Sequence, residues 1–285
     1  MRCTLCHGRV RDIVDQGQYR YYLCADCEVS QLLPPPTAAE LEEYYRIYHS
    51  TSGTYGGFED RMAADFPAKL ALVSHGVNPQ GARLLDVGCG RGFFVAAAKN
   101  AGFEAEGIDI SSTAATYARN ELKVMVHPGQ LGPTSHPQWE GLFDVVTMWA
   151  AIEHVADPLD VLKGAYAALK PQGRFFIDTG LGASPWEQWL AGYSQWYDAP
   201  QHLFVFSAKG MVQLLESVGF NVVSVDTNFE RSTIRRWARY ARHSATCATS
   251  GLLVGATLGR ENLKAMRRSA KWPIGRLLSV VCRKF

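Results

Sequence analysis

From Ala82 onward the chain alternates short apolar runs with amphipathic stretches. Arg83-Leu-Leu-Asp-Val87 reads as a buried strand ending in a glycine turn, and Phe93 to Asn100 as the helix that follows it. The rhythm repeats through a strand over Phe103 to Ile110, a helix over Thr113 to Glu121 and a strand over Lys123 to Val126. It continues with a strand over Phe143 to Met148, a helix over Leu159 to Leu169 stopped by Pro171 and Gly173, and a strand over Arg174 to Asp178. A helix over Ser207 to Val218, capped by Ser207, and a strand over Phe220 to Asp226 follow, and Leu277 to Cys282 makes a seventh strand. Strand–helix alternation of this kind predicts an α/β fold with a doubly wound, mostly parallel seven-stranded sheet.

Ahead of that region the pattern is different. Val10 to Leu23 alternates apolar and polar residues as a hairpin does, and Pro34-Pro35-Pro36 is a stiff connector. Thr37 is the expected N-cap of a helix through Tyr48, with Glu40 as its capping-box partner. Ser50 to Gly57 reads as a loop and Glu59 to His75 as a second helix. The predicted organisation is a small module over residues 1–33, a helical lid or linker over 34–80, and the α/β core over 81–285 with a helical insertion at 230–271.

Composition changes this picture in three places. The 285 residues are 47% hydrophobic and 20% charged, as in ordinary globular proteins, and suffice for one α/β domain with small additions. No apolar leader and no bilayer-length apolar run is present, so the expected compartment is the cytoplasm. The net charge of +2 conceals an asymmetry: residues 231–285 hold thirteen Lys and Arg against one acid, Glu261. Ile234, Trp237, Ala238 and Ala241 share a helical face there, with arginines elsewhere, which makes peripheral contact with an anionic membrane through 231–271 an expectation. A helical cap on the domain is the plainer reading of the same residues.

Cysteine spacing carries the first chemistry. Cys3/Cys6 and Cys24/Cys27 are two Cys-x-x-Cys pairs with the separation of a zinc ribbon, and Cys89, Cys247 and Cys282 suggest no disulfide framework. Four thiolates close a tetrahedral shell and leave no position for a substrate, so the expected zinc is structural. His7 lies beside Cys6, but four cysteines already suffice.

The second chemistry lies in Asp86-Val-Gly-Cys-Gly-Arg-Gly92, which follows a strand and opens a helix. Gly88, Gly90 and Gly92 let backbone approach a ligand, and Asp109 ends the next strand, where an acid can accept both hydroxyls of a ribose. A dinucleotide fingerprint spaces its glycines differently. The carboxylate of Asp86 would repel a pyrophosphate but suits the sulfonium and amino groups of S-adenosylmethionine.

Leu84-Leu-Asp-Val-Gly-Cys-Gly-Arg-Gly92 resembles the first motif of class I S-adenosylmethionine-dependent methyltransferases, whose core is Rossmann-like. Glu106-Gly-Ile-Asp-Ile-Ser111, the run from Phe143 through Trp149 to Pro158, and Leu169-Lys-Pro-Gln-Gly-Arg174 are similar to later motifs of that family. The resemblance implies that Gly88, Gly90 and Gly92 border the methionine portion, Asp109 holds the ribose, Ile110 touches adenine, and Met148 and Trp149 line the cofactor. Gln130 stands where the family often has an acid near the adenine amino group. The cysteine module and Gln201-His-Leu-Phe-Val-Phe-Ser207 resemble a branch that includes sugar C-methyltransferases. That likeness makes His202 the nearest counterpart of a proposed base; His154, beside Glu153, is the other histidine expected at the carboxyl ends of the strands.

The expected acceptor is a small molecule, first a sugar or nucleotide sugar, with a lipid-linked or polyketide-like acceptor of O-methylation as the alternative. A non-catalytic adaptor on the same fold is the third reading. Nucleic acid is disfavoured, because Trp149-Ala-Ala-Ile152 replaces the Asn/Asp-Pro-Pro-aromatic element of amino-methylating enzymes. Trp186, Trp189, Tyr193, Trp196 and Tyr197 suit sugar stacking or a buried plug equally.

Overall fold

In a computed structural model of the chain, the described residues are 1–37, 39–41, 44, 52–182, 196–229 and 276–284. The basic insertion, Trp186, Trp189, Tyr193 and Tyr48 lie outside them. Among the described residues no helix is long and apolar enough to cross a membrane.

The N-terminal strands are β1 (Val10–Gln16), β2 (Tyr19–Cys24) and β3 (Val29–Leu32), an antiparallel meander. The expected capping box forms: Thr37 N–H donates to Glu40 Oε2 at 2.7 Å, and Glu40 N–H to Thr37 Oγ1 at 3.2 Å. Helix α1 (Ser52–Ser74) starts earlier than Glu59, so the Gly- and Ser-rich segment expected as a loop is its first turns. Its glycines weaken the local helical preference, and the structure overrides that preference.

The core alternates as the pattern predicted. It comprises β4 (Arg83–Val87), α2 (Phe93–Asn100), β5 (Glu104–Asp109), α3 (Ser112–Tyr117), β6 (Met125–Pro128) and β7 (Phe143–Trp149). Then come α4 (Pro158–Ala168), β8 (Leu169–Leu181), β9 (Phe204–Phe206), α5 (Ala208–Val218), β10 (Asn221–Phe229) and β11 (Arg276–Arg283). Strands β6, β5, β4, β7 and β8 are parallel neighbours in that order, and antiparallel β11 inserts between β8 and β10. β8 absorbs the turn expected at Pro171 to Gly173, with Gln172 in the left-handed region at φ 65°.

Period-two alternation divides the core. Leu85, Val146, Met148, Phe175 and Ile177 face α4, α5 and the N-terminal strands. Leu84, Val145, Trp149 and Phe176 face α1 and α2 through Val73 and Phe94. Fully buried phenylalanines such as Phe143, Phe175 and Phe176 are worth about 1.5–3 kcal/mol each over exposure.

The sheet is larger than seven strands. β3 pairs antiparallel with β9, and β9 pairs with β8 at Leu181–Phe206, so the N-terminal meander extends the central sheet. β11 follows one edge of β8 up to Leu181, and β7 occupies the other up to Asp178. β9 therefore takes the edge that β7 vacates, which sets the meander at the carboxyl ends of the parallel strands, where ligands bind in such sheets.

Candidate active site

The cysteine pairs meet as expected. Cys3 Sγ lies 3.6 Å from Cys27 Sγ and Cys6 Sγ 3.4 Å from Cys24 Sγ. All four sulfurs lie within 4.8 Å of one another. Tetrahedral zinc with bonds of about 2.3 Å needs sulfurs about 3.8 Å apart, so the set fits that ion. Each knuckle closes the same way, His7 N–H donating to Cys3 O and Glu28 N–H to Cys24 O. His7 and Glu28 then turn the chain at φ 61° and 54°.

The glycine loop sits between β4 and α2. Gly88, Gly90 and Gly92 take φ of 69°, 54° and 80°, which L side chains rarely adopt. At Gly88 a Cβ would also lie 2.5 Å from the Cβ of Ala151, so the loop and the end of β7 touch at a point that only glycine permits. Asp109 grips this loop: its Oδ2 accepts Gly90 N–H at 2.8 Å and its Oδ1 accepts Ser111 N–H at 2.9 Å. A carboxylate has about four lone-pair positions, which leaves capacity for ribose hydroxyls. Ile110 beside it is a large apolar residue left 72% exposed.

Asp86 lies beneath the loop, 2% exposed, accepting from Thr147 Oγ1 at 2.6 Å. Burial pushes its carboxyl up to about 7, against the opposing Thr147 hydrogen bond and Lys69. Burial likewise keeps the Cys89 thiol protonated.

Met148 and Trp149 point to opposite faces of the sheet, Met148 into the main core and Trp149 against Phe94 at 5.4 Å between ring centroids. Trp149 Nε1–H is buried and finds no acceptor among the described residues. Lys69 from α1 lies 4.5 Å over the Trp149 ring and pairs with Asp178 at 2.9 Å. Asp178 also accepts the N–H of Ala150 at 2.7 Å. Ala150 is held at φ 48°, a conformation costly for a residue with a Cβ, directly after β7. Sequence reading passed over Lys69, Ala150 and Asp178; an acid ending a strand is the only local signal, and its partner is 109 residues away.

The two candidate histidines come together. His154 and His202 are edge to face, 4.8 Å between ring centroids. With Glu153, their ligating atoms lie within 4.8 Å of one another. Glu153 is 3% exposed and accepts from Thr179 Oγ1 at 2.8 Å, and burial pushes its carboxyl up. His154 Nδ1 meets Gln201 O at 2.8 Å and His202 Nδ1 meets Trp196 O at 2.9 Å. A carbonyl only accepts, so each Nδ1 carries a proton, and in the neutral form of either ring the lone pair sits on Nε2.

The N-terminal strands hold this segment. Tyr21 Oη donates to His202 O, Ser30 Oγ and Tyr197 Oη share a hydrogen bond at 3.1 Å, and Gln16 Oε1 accepts Ala199 N–H at 3.1 Å. Backbone Leu203 N–H donates to Glu153 O at 2.7 Å, tying the segment to the end of β7.

A ubiquinone biosynthesis O-methyltransferase from Xanthomonas axonopodis pv. citri is 34% identical over 117 residues, 40% of this chain and 49% of that protein. One from Albidiferax ferrireducens is 32% identical over 152 residues, 52% of this chain and 60% of that protein. The chain thus spans about half the length of the curated relatives it matches. A SAM-dependent methyltransferase structure from Archaeoglobus fulgidus superposes with a TM-score of 0.52 at 19% identity, covering 81% of this chain and 99% of that one, and so shares the fold. The family model described as a methyltransferase domain matches residues 55–225, the segment that contains the glycine loop, Asp109 and the histidine cluster, and this chain belongs to that family.

Proposed function

We propose that this chain is an S-adenosylmethionine-dependent methyltransferase acting on a hydroxyl of a small acceptor. The observation that carries the reading is Asp109 bound to the glycine loop at Gly90, beside an uncovered Ile110. Gly88, Gly90 and Gly92 would border the methionine portion, Asp109 would take the ribose and Ile110 the adenine. Asp86 and the Trp149 edge of the sheet would face the cationic end. When bound, the donor supplies a methyl carbon that an acceptor oxygen attacks as the carbon–sulfur bond breaks, its electron pair passing to sulfur.

The chain's own part is alignment and proton management. An alcohol or phenol must lose its proton as the oxygen–carbon bond forms. The Glu153–His154–His202 cluster is the group of side chains suited to take it, and both histidines present a lone-pair nitrogen fixed by a backbone carbonyl. O-methylation is preferred to the sugar reading because the curated relatives are named as O-methyltransferases. The tetrathiolate module would hold a structural zinc and brace the His202 segment.

Calorimetry with S-adenosylmethionine and its demethylated product tests the donor. Labelled donor offered to phenolic, catecholic and nucleotide-sugar acceptors then tests the acceptor. Saturable binding and label transfer to a hydroxyl are expected. Absence of donor binding by the folded protein would reject the reading, and transfer to a sugar carbon would replace the acceptor class.

A further inference from the structure

We propose that Trp196 is a positioning residue for His202, setting the plane of its imidazole from a seat that Gly180 leaves open. The proposal rests on the function proposed above, in which His202 belongs to the group that receives the acceptor's proton. Trp196 meets His202 through both backbone and ring. Its backbone oxygen accepts from Nδ1 at 2.9 Å, and its indole stacks on the imidazole with centroids 6.1 Å apart and planes at 29°. His154 meets the same imidazole edge to face, at 4.8 Å and 62°. Offset stacks and edge contacts at these separations are the favoured arrangements of aromatic rings. The backbone of His202 is held as well, its N–H donating to Asp198 O at 3.0 Å and its carbonyl accepting from Tyr21 Oη at 2.6 Å. A single hydrogen bond fixes one point of a ring; the indole face adds the plane.

The indole is placed in turn by the side chain that Gly180 lacks. Gly180 is a buried position of β8, and a Cβ there would stand 2.2 Å from both Cδ2 and Cε3 of Trp196. These atoms belong to the rigid bicyclic part of the indole, so a methyl group could enter only if the whole ring moved. Gly180 does not take a left-handed φ, unlike the glycines of the loop after β4. Its position therefore demands space and no special backbone. A close-packed interior passes such a displacement on to the next ring, which here is the imidazole of His202.

Orientation matters because the proton moves in the methyl-transfer step. As the acceptor oxygen bonds to the methyl carbon, its O–H bond breaks and the proton passes to Nε2 of His202. The carbon–sulfur bond breaks with its electron pair going to sulfur, and the imidazolium later returns the proton to solvent. Transfer requires Nε2 within about 2.6–3.2 Å of the oxygen. A misplacement of about 1 Å can cost about a hundredfold in rate. Trp196 thus acts through His202, and its loss should be felt in turnover rather than in binding.

The test compares Trp196→Leu, Trp196→Phe, Gly180→Ala and the double variant Gly180→Ala with Trp196→Leu, each in the full chain loaded with zinc. Histidine labelled with ¹³C at Cε1 reports the ring by nuclear magnetic resonance, and His202→Asn identifies its signal. The ring current of the indole acts on that signal, which should move in Trp196→Leu and in Gly180→Ala. With labelled S-adenosylmethionine and catechol as the acceptor, kcat should fall about ten- to a hundredfold in both, while donor Kd and catechol KM stay within about twofold. Trp196→Phe keeps a smaller aromatic face and should recover part of kcat. The methyl group added at 180 acts through the indole, so the double variant should be no slower than Trp196→Leu alone. Should Trp196→Leu fail to fold by circular dichroism, Gly180→Ala and Trp196→Phe carry the same comparison. An unmoved His202 signal, or losses that simply multiply in the double variant, overturns the proposal. Donor binding and methyl transfer with kcat indifferent to Trp196 reject this proposal alone, whereas absence of donor binding by the wild-type chain rejects the methyltransferase reading on which it rests.

Discussion

The hydroxyl of Tyr21 donates to the backbone carbonyl of His202 at 2.6 Å, across 181 residues of sequence. Tyr21 belongs to the cysteine-bearing meander and His202 to the candidate site, so one hydrogen bond joins the two regions. Burial pushes the Tyr21 phenol well above its ordinary value, so it remains a neutral donor at any physiological pH.

Tyr21→Phe removes that donor and leaves a buried carbonyl unsatisfied. Urea unfolding should show a loss of about 1–3 kcal/mol. Acceptor turnover should fall while donor affinity, measured by calorimetry, stays near wild type. Loss of donor affinity would show that the meander does more than position His202.

Asp109→Ala removes an acceptor of two backbone N–H groups and the expected ribose contact. Charge-assisted hydrogen bonds are worth about 1.5–3 kcal/mol, so donor binding should weaken about ten- to a hundredfold. Isothermal calorimetry reads this directly, and an unchanged Kd would remove Asp109 from the site.

Asp86 gives a pH dependence. Its carboxyl is pushed from 3.8 to about 7 by burial, opposed by the Thr147 hydrogen bond and Lys69 and reinforced by Asp178 and Asp109. A raised carboxyl contributes stability that is complete below the unfolded value and is lost as pH rises through the folded one. The ligand-free protein should therefore lose this contribution between pH 3.8 and about 7. A cationic donor prefers the ionised form, so its affinity should climb with pH up to about 7 and then level, with proton release on binding. Calorimetry in buffers of different ionisation heat counts that proton. Asp86→Asn should flatten the profile.

Lys69→Met leaves Asp178 buried without its cation, the two side chains being 10% and 3% exposed. The single substitution should cost about 3–5 kcal/mol, and Lys69→Met with Asp178→Asn should recover much of it. Chemical denaturation of the three proteins completes the comparison. Equal losses in the single and double variants would mean that the pair is not what anchors α1.

Zinc analysis should find one ion per chain held by Cys3, Cys6, Cys24 and Cys27. Cys24→Ser should lose it and lower Tm, by about 2–4 °C for each kcal/mol of lost stability. Turnover should fall with the metal, because the meander braces the segment around His202.

The strand–helix alternation, the glycine loop, Asp109 and the four cysteines could be read directly from the chain. These features are set by neighbours: burial on both faces makes apolar runs, positive φ requires glycine, and knuckles need a fixed spacing. Only the tertiary structure decided that the meander joins the central sheet, because β9 has three residues and no periodicity to read. Tertiary packing also paired Lys69 with Asp178 and set Met148 and Trp149 on opposite faces. The convergence of Glu153 and His154 with His202, 48 residues further on, follows from β8 and β9 lying side by side. Such meetings depend on how strands are ordered in space, and no local stretch of sequence encodes that order.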